Sequence, residues 1–320
     1  MISRVADGLF WLGRYLERAE STARVLAVTR NLALDGELTP RQAWFPTVVV
    51  FGEEDRFRER VGDPAFQDGE AVQQYLTWTG DVASIAQAVR AARENARAVR
   101  DVVSLETWES LNALHLWLGA EGRTAWAEDR DGFYRAVRDA VQRTVGVVHG
   151  TMPHDDALDF ILLGLMLERA GQTARTLDVH HHALLGDHRV VETALWLALL
   201  RACSGLEAYM KRFQGQASAA SVARFLVLDG RFPRSVVHCL EDATERLARV
   251  LAGAAAGPSL PRLRALTSWV IDDAAAALEE GALHGLLTRV VDEAHAVCAE
   301  VGRELLGEKA CSPSPGVVPQ

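Results

Sequence analysis

The chain has 320 residues, 49% of them hydrophobic and 24% charged, and a formal net charge of −9. That is enough to bury a full core as one large or two closely packed domains, whereas the negative charge opposes attraction to a phosphate backbone and no long basic block offsets it, so no nucleic-acid partner is expected. No run of about 18 uncharged apolar residues occurs, and Met1-Ile2-Ser3-Arg4 leads straight into a charged amphipathic stretch, so neither a signal peptide nor a membrane span is expected and the cytoplasm is the default location.

Helical periodicity runs through the chain, predicting helices over 3–33, 42–60, 70–104, 106–118, 129–149, 155–185, 190–213, 219–228, 234–254, 260–279 and 284–306, with breaks at Gly and Pro. In the first of these, a helical wheel places Arg14, Glu17, Arg18, Ser21 and Arg24 on one arc and Trp11, Leu12, Leu16, Ala19, Ala23 and Leu26 on the other. Taken alone, the polar arc reads as a solvated face with weak pairs such as Glu20 to Arg24. Residues 34–41 and 61–70 read as loops. The short β-like runs Val48-Val49-Val50 and Phe225-Leu226-Val227-Leu228 are bounded like helix segments, which favours an all-α fold. In the 70–104 segment, Asp81 ahead of Val82-Ala83-Ser84 is a candidate helix start, and Arg93, Arg97 and Arg100 fall on neighbouring turns around Glu94 and Asn95. Such spacing suits a clamp on a carboxylate or phosphate, or else local pairing of Glu94 with Arg97.

Further along, Phe160 through Leu167 is apolar on every side, as expected of a buried helix. Glu168, Arg169 and Arg175 then lie inside the protein or at a cavity wall, where an unpaired charge costs several kcal/mol and must find a partner. His180-His181-His182 points in three directions along a helix with no completing Cys or carboxylate spacing, so no metal is expected. Trp108, Trp117, Trp126, Trp196 and Trp269 read as core anchors. Ser84 and Ser235 read as helix caps, and Phe232-Pro233-Arg234-Ser235 is a helix start that could bring Arg234 near a site. The segment Ala252 to Pro258 reads as a connection, and the tail from Cys311 as disordered. The four cysteines, Cys203, Cys239, Cys298 and Cys311, are too scattered for a metal site or disulfide framework. No nucleotide fingerprint or nucleophile elbow occurs, and no cofactor is expected.

One segment occurs twice. Leu12 to Val28 and Leu163 to Val179 share eleven of seventeen positions at a constant offset of 151, including the Glu-Arg pair (Glu17-Arg18, Glu168-Arg169) and a later arginine (Arg24, Arg175). Ser84-Ile85 and Glu94 fall on Ser235-Val236 and Glu245 at the same offset, and Trp44 and Phe57 fall on Trp196 and Tyr209 at 152. We therefore expect an all-α helical bundle of two pseudo-twofold-related repeats of about 150 residues, 1–151 and 152–307, followed by a tail, 308–320. Across the pseudo-axis Glu17 would meet Arg169 and Glu168 would meet Arg18. The helix equivalent to the Arg93 helix carries Glu241, Asp242, Glu245, Arg246 and Arg249, an asymmetry that suggests one functional site.

Phe10-Trp11-Leu12-Gly13-Arg14-Tyr15-Leu16-Glu17-Arg18-Ala19-Glu20, Ala92-Arg93-Glu94-Asn95-Ala96-Arg97 with Trp108-Glu109 and Leu111-Asn112, Leu167-Glu168-Arg169-Ala170, and Phe232-Pro233-Arg234-Ser235-Val236 occur in that order. Together they resemble the bacterial alpha-E family over about residues 1–306. The resemblance implies an all-helical domain of unknown function, encoded beside or fused to ATP-grasp proteins and transglutaminase-like peptidases, and hence amide or peptide bond formation on a small molecule or peptide. Its motif falls on Glu17, Arg18, Glu168 and Arg169, with Arg93, Glu94, Asn95 and Arg97 as a second block. The chain departs from it at Leu165, where Arg is common, and at Gly171, where an acid is common. Three functions follow as expectations. The first is a partner of an ATP-grasp ligase, offering an Arg/Glu-lined site to a carboxylate-bearing substrate or to the ligase. The second is an enzyme with Glu17 or Glu168 as general base and Arg18, Arg169 or Arg97 stabilising an oxyanion. The third is a scaffold whose Glu-Arg pairs are satisfied internally.

Overall fold

The computed structural model describes residues 2–34, 38–183, 189–213, 217–252, 257–279 and 282–307, with the side chains of 180–183, 189–192 and 275–279 left out. The tail 308–320 with Cys311, the side chains of His180-His181-His182, and residues 35–37 and 253–256 of the two expected connections therefore lie outside the described residues. Among the described residues all regular structure is helical. The order is α1 (Ser3–Leu34), α2 (Pro40–Val50), α3 (Glu54–Arg60), a 3-10 turn (Asp63–Gln67), α4 (Gly69–Trp78), α5 (Ile85–Ala98), α6 (Leu105–Ala120), α7 (Gly122–Glu128) and α8 (Arg130–Thr151). There follow α9 (Asp156–Ala183), α10 (Arg189–Ala202), α11 (Leu206–Arg212), α12 (Ala219–Leu228), α13 (Val236–Val250), α14 (Ser259–Glu279) and α15 (Leu283–Val301), the last running into a π turn at Gly302–Leu306. Both β-like runs are helical, in α2 and α12.

The long helices α1 and α9 cross at the centre. α1 is flanked by α5 and α8, and α9 by α13 and α15, with α6 and α14 forming outer layers. The crossing is close because two glycines meet it: a Cβ on Gly13 would sit 2.8 Å from the Ile161 carbonyl carbon, and one on Gly164 2.9 Å from that of Phe10. Glycine is required here for backbone-to-backbone approach, not for an unusual φ. Around this point Leu9, Phe10, Leu12, Leu16, Ile161, Leu163 and Leu165 are buried.

Several predicted helices are divided. The 42–60 segment breaks at Gly52, whose φ of +69° ends α2. The 190–213 segment breaks at Ser204, with φ of +54°, before α11. The 70–104 segment breaks over residues 79–84, and the helix begins at Ile85, not after Asp81. Ser84 Oγ accepts the Gln87 N–H and donates to the Thr79 carbonyl, a competing local geometry that stops α4 and starts α5. Asp81 instead pairs with Arg60. Ser235 does the same for α13, accepting the His238 N–H and donating to the Asp229 carbonyl. The loops also contain more order than expected: Thr39 and Gln42 form a capping box ahead of α2, and residues 63–67 form a 3-10 turn. Helix α7 has no forerunner in the periodicity.

Candidate functional site

Just past the glycine contact, α1 and α9 exchange charged side chains. Glu17, buried on α1, accepts both Arg169 Nε (2.9 Å) and Nη2 (2.7 Å) at Oε2. Glu168, buried on α9, is held by Arg18 through a two-point fork, Nε to Oε1 at 2.8 Å and Nη2 to Oε2 at 3.1 Å. The two-oxygen fork of Arg18 on Glu168 is the strong form of this interaction and fixes orientation as well as charge, whereas Arg169 directs both donors at one oxygen of Glu17. The polar arc of α1 is therefore not a solvated face: Arg14, Glu17, Glu20, Ser21 and Arg24 are all buried.

Beyond these two pairs the surroundings differ. Glu168 also accepts Arg14 Nε at 2.9 Å and Gln172 Nε2 at 3.3 Å. Glu17 instead takes Arg234 Nη1 at 2.6 Å and the Ser21 hydroxyl at 2.9 Å. Arg234 reaches on to Glu20 through Nη2 at 2.7 Å, and Glu20 further accepts Arg24 and Gln142 Nε2 (3.0 Å). Arg234 enters from the loop ahead of α13, where its own carbonyl accepts the Thr173 hydroxyl and the Pro233 carbonyl accepts Arg169. Arg175 donates to His295 Nε2 on α15. Arg14 additionally lies over the Trp11 ring, 4.6 Å from its centroid.

The electrostatics follow from this geometry. Burial disfavours the Glu168 carboxylate, but the Arg18 and Arg14 guanidiniums outweigh it and hold the carboxyl well below the usual range. Burial likewise opposes ionisation of Glu20, yet Arg234 and Arg24 bring it down to about 2. Arg24 itself is pushed down, first by burial and then by the charge of Arg234, and its Nε has no hydrogen-bond partner among the described residues. His295 falls to about 4 through burial and the neighbouring Arg175 charge, so it is neutral and free to accept the Arg175 N–H. The Glu168 side opens into a recess of about 20 Å³ bounded by Arg14, Arg18, Arg175, His295 and Cys298. That is room for about one water molecule.

The residues singled out from the sequence thus divide into two groups. Arg14, Glu17, Arg18, Arg24, Glu168, Arg169, Arg175 and Arg234 meet at or beside the crossing. Arg93, Glu94, Asn95 and Arg97 do not. Arg93 donates to Asn112 Oδ1 (3.0 Å) and Glu94 (2.5 Å), Arg97 pairs with Glu94 at 3.1 Å, and Arg93 and Arg100 lie over the Trp108 ring. Arg97 and Arg93 thus both turn to Glu94, the local pairing that the sequence also allowed. The Asn95 carbonyl caps the end of α5 through the Val99 N–H. Sequence reasoning missed Gln142, Gln172 and His295, which reach the network from α8, α9 and α15 and carry no local signal. It also missed Asp159, which receives Arg246 (2.9 Å) and both Nε and Nη2 of Arg249 (2.8 Å each). No helix of the described residues is long and apolar enough to cross a membrane, and no group of three His, Cys, Asp or Glu that could hold a metal occurs among them.

Uncharacterised proteins from Mycobacterium bovis and Mycobacterium tuberculosis are each 28% identical over 257 residues, which covers 74% of this chain and 29% of theirs. The chain thus corresponds to less than a third of the length of these curated relatives. No solved structure matches it. Residues 1–306 match Alpha-E, a predicted alpha-helical domain with a conserved ER motif, and the chain belongs to that family.

Proposed function

We propose that this Alpha-E domain is a partner of an ATP-grasp-type amide or peptide ligase, offering an Arg/Glu-lined helical site to a carboxylate-bearing substrate or to the ligase itself. The observation that carries the reading is a local excess of guanidinium. Among the described residues Arg14, Arg18, Arg24, Arg169, Arg175 and Arg234 surround Glu17, Glu20 and Glu168, with Asp292 also acting on Arg175, in a chain whose formal charge is −9. Such a concentration leaves the region of the crossing net positive and favours an anion there over the rest of a negatively charged chain. The ligase, and a transglutaminase-like protein as a further partner, come from the family resemblance. A match confined to 29% of each mycobacterial relative is in keeping with use beside other modules.

Geometry lowers the standing of an independent enzyme with Glu17 or Glu168 as base. Each carboxylate already accepts from several donors, Glu168 is held strongly ionised, and the adjoining recess has room for no substrate. The two Glu-Arg forks act as struts, and recognition falls to the cations around them.

We further infer two repeats, 1–151 and 152–307. Support comes from the reciprocal glycine contacts at positions 13 and 164 and the reciprocal forks of Glu17 with Arg169 and Glu168 with Arg18. The matching caps Ser84 and Ser235 add to it. The Leu165 and Gly171 positions, opposite Arg14 and Glu20, account for the unequal surroundings of the two forks.

The test mixes the purified chain with the ATP-grasp protein of its own source organism. Co-elution on size exclusion, with ATP turnover on acidic amino acids raised above that of the ligase alone, is the expected result. Separate elution with unchanged turnover overturns the partner reading.

A further inference from the structure

We propose that the cleft between α1, α8 and the corner joining α10 to α11 binds an acidic amino acid or short acidic peptide, with arginines taking its carboxylates and Glu207 its ammonium group. This deepens the reading above by naming the substrate class and its seat.

The cleft has a volume of about 440 Å³, within the range of about 300–1,000 Å³ usual for small-molecule sites. It is lined by Arg24, Arg135, Arg138 and Arg201, with Asp131 and Glu207 as its acidic residues. Their existing partners decide what remains available. Asp131 is engaged by Arg30, and Arg138 by Asp139. Arg135, Arg201 and Glu207 have no ion pair among the described residues, so two cations and one anion at the opening are uncommitted.

The inner wall supplies the second, independent observation. Arg24 is only 7% exposed, and its Nε, buried and without a hydrogen-bond partner, belongs to a side chain that lines this cleft. A buried donor left unmade costs about 1–3 kcal/mol, so Arg24 stands in the wall of the cleft with hydrogen-bonding capacity unspent. Burial and the charge of Arg234 both lower the Arg24 pKa, and the negative charge of an anion in the cleft would offset both. Arginine suits this role because its planar fork matches a carboxylate. The corner is held in an uncommon conformation at Ser204, with φ of +54°, and Ser204 also lines the cleft. A non-glycine residue in that region costs of order 1–3 kcal/mol, and here it closes the turn that ends α10, with the Gly205 N–H on the Leu200 carbonyl.

Through Arg24 the cleft joins the central network: Arg24 holds Glu20, Glu20 holds Arg234, and Arg234 holds Glu17. A carboxylate bound at Arg24 therefore bears on the α1–α9 crossing.

The test is calorimetric titration of the purified chain, without ligase, with three probes: L-glutamyl-L-glutamate, glutarate and inorganic phosphate. Arg201→Ala and Glu207→Gln, both at the exposed rim, are compared with Arg97→Ala on α5 as control, each checked for native helicity. The dipeptide should bind at a single saturable site, weakened about tenfold or more by Arg201→Ala and untouched by Arg97→Ala. Glu207→Gln should weaken the dipeptide and leave glutarate unchanged. Absence of saturable dipeptide binding overturns the proposal, as does phosphate binding of equal strength or indifference to Arg201→Ala. Because no ligase is present, these outcomes are separate from failure of the partner reading, which is read from co-elution.

Discussion

Replacing Gly13 by Ala tests whether the close crossing of α1 and α9 organises the protein. The added Cβ would lie 2.8 Å from the Ile161 carbonyl carbon and 3.0 Å from the Leu165 nitrogen. The Ile161 carbonyl oxygen lies nearer still, and since non-bonded heavy atoms rest more than about 3 Å apart, the helices must separate by roughly 1.5 Å. Overpacking of this kind costs about 1–3 kcal/mol, and the separation also pulls on the forks of Glu17 and Glu168 just beyond it. We expect a loss of about 3–4 kcal/mol, in urea unfolding followed by circular dichroism, partly offset by the better helix propensity of Ala. Gly146→Ala in α8 is the matched control. Nothing lies within 4 Å of a Cβ there, so the same change should stabilise by about 0.5–1 kcal/mol. Gly164→Ala should resemble Gly13→Ala, and the double variant should cost less than their sum, since one displacement relieves both clashes. If Gly13→Ala proves as harmless as Gly146→Ala, or the two crossing variants add fully, the reasoning fails.

Glu168→Gln should lower stability by about 3–5 kcal/mol by leaving the buried Arg14 and Arg18 charges uncompensated; a loss under about 1 kcal/mol would show that solvent reaches them. His295 gives a pH dependence of defined sign. Its folded pKa, about 4, lies below the unfolded value of 6.5, so the unfolded chain takes up a proton that the native state refuses, and stability falls as pH drops from about 6.5 toward 4. The groups facing it are Arg175, Arg14, Arg18 and Glu168. The full effect is at most about 3 kcal/mol, and His295→Gln should flatten the slope of urea stability between about pH 7 and 5. His115 and His149, also held low by burial, leave a residual slope; an unaltered slope would place His295 in contact with water.

Some of the protein could be read from residues alone because the information is local. The 3.6-residue spacing that marks each helix, the Ser84 and Ser235 hydroxyls that cap α5 and α13, and the all-apolar Phe160–Leu167 stretch of a buried helix lie within a few residues of one another. The doubled Glu-Arg segment added one long-range expectation, that Glu17 faces Arg169 and Glu168 faces Arg18, because a repeated amphipathic helix with a buried charge must find its counter-charge in its copy. Local patterns could not supply the breaks at Gly52 and Ser204, where turns override an unbroken apolar spacing. Nor could they show that Arg93 reaches across to Asn112 and that Arg93 and Arg100 both lie over the Trp108 ring. The partners Gln142, His295 and Arg234 lie more than a hundred residues from the groups they meet. Charge pairing at such separations depends on which helix surfaces are brought together and which are dried, and only the packed tertiary structure fixes that. The cleft at Arg24 has the same origin: its arginines come from three separate helices, and they face one another only after α1, α8 and α10 have packed.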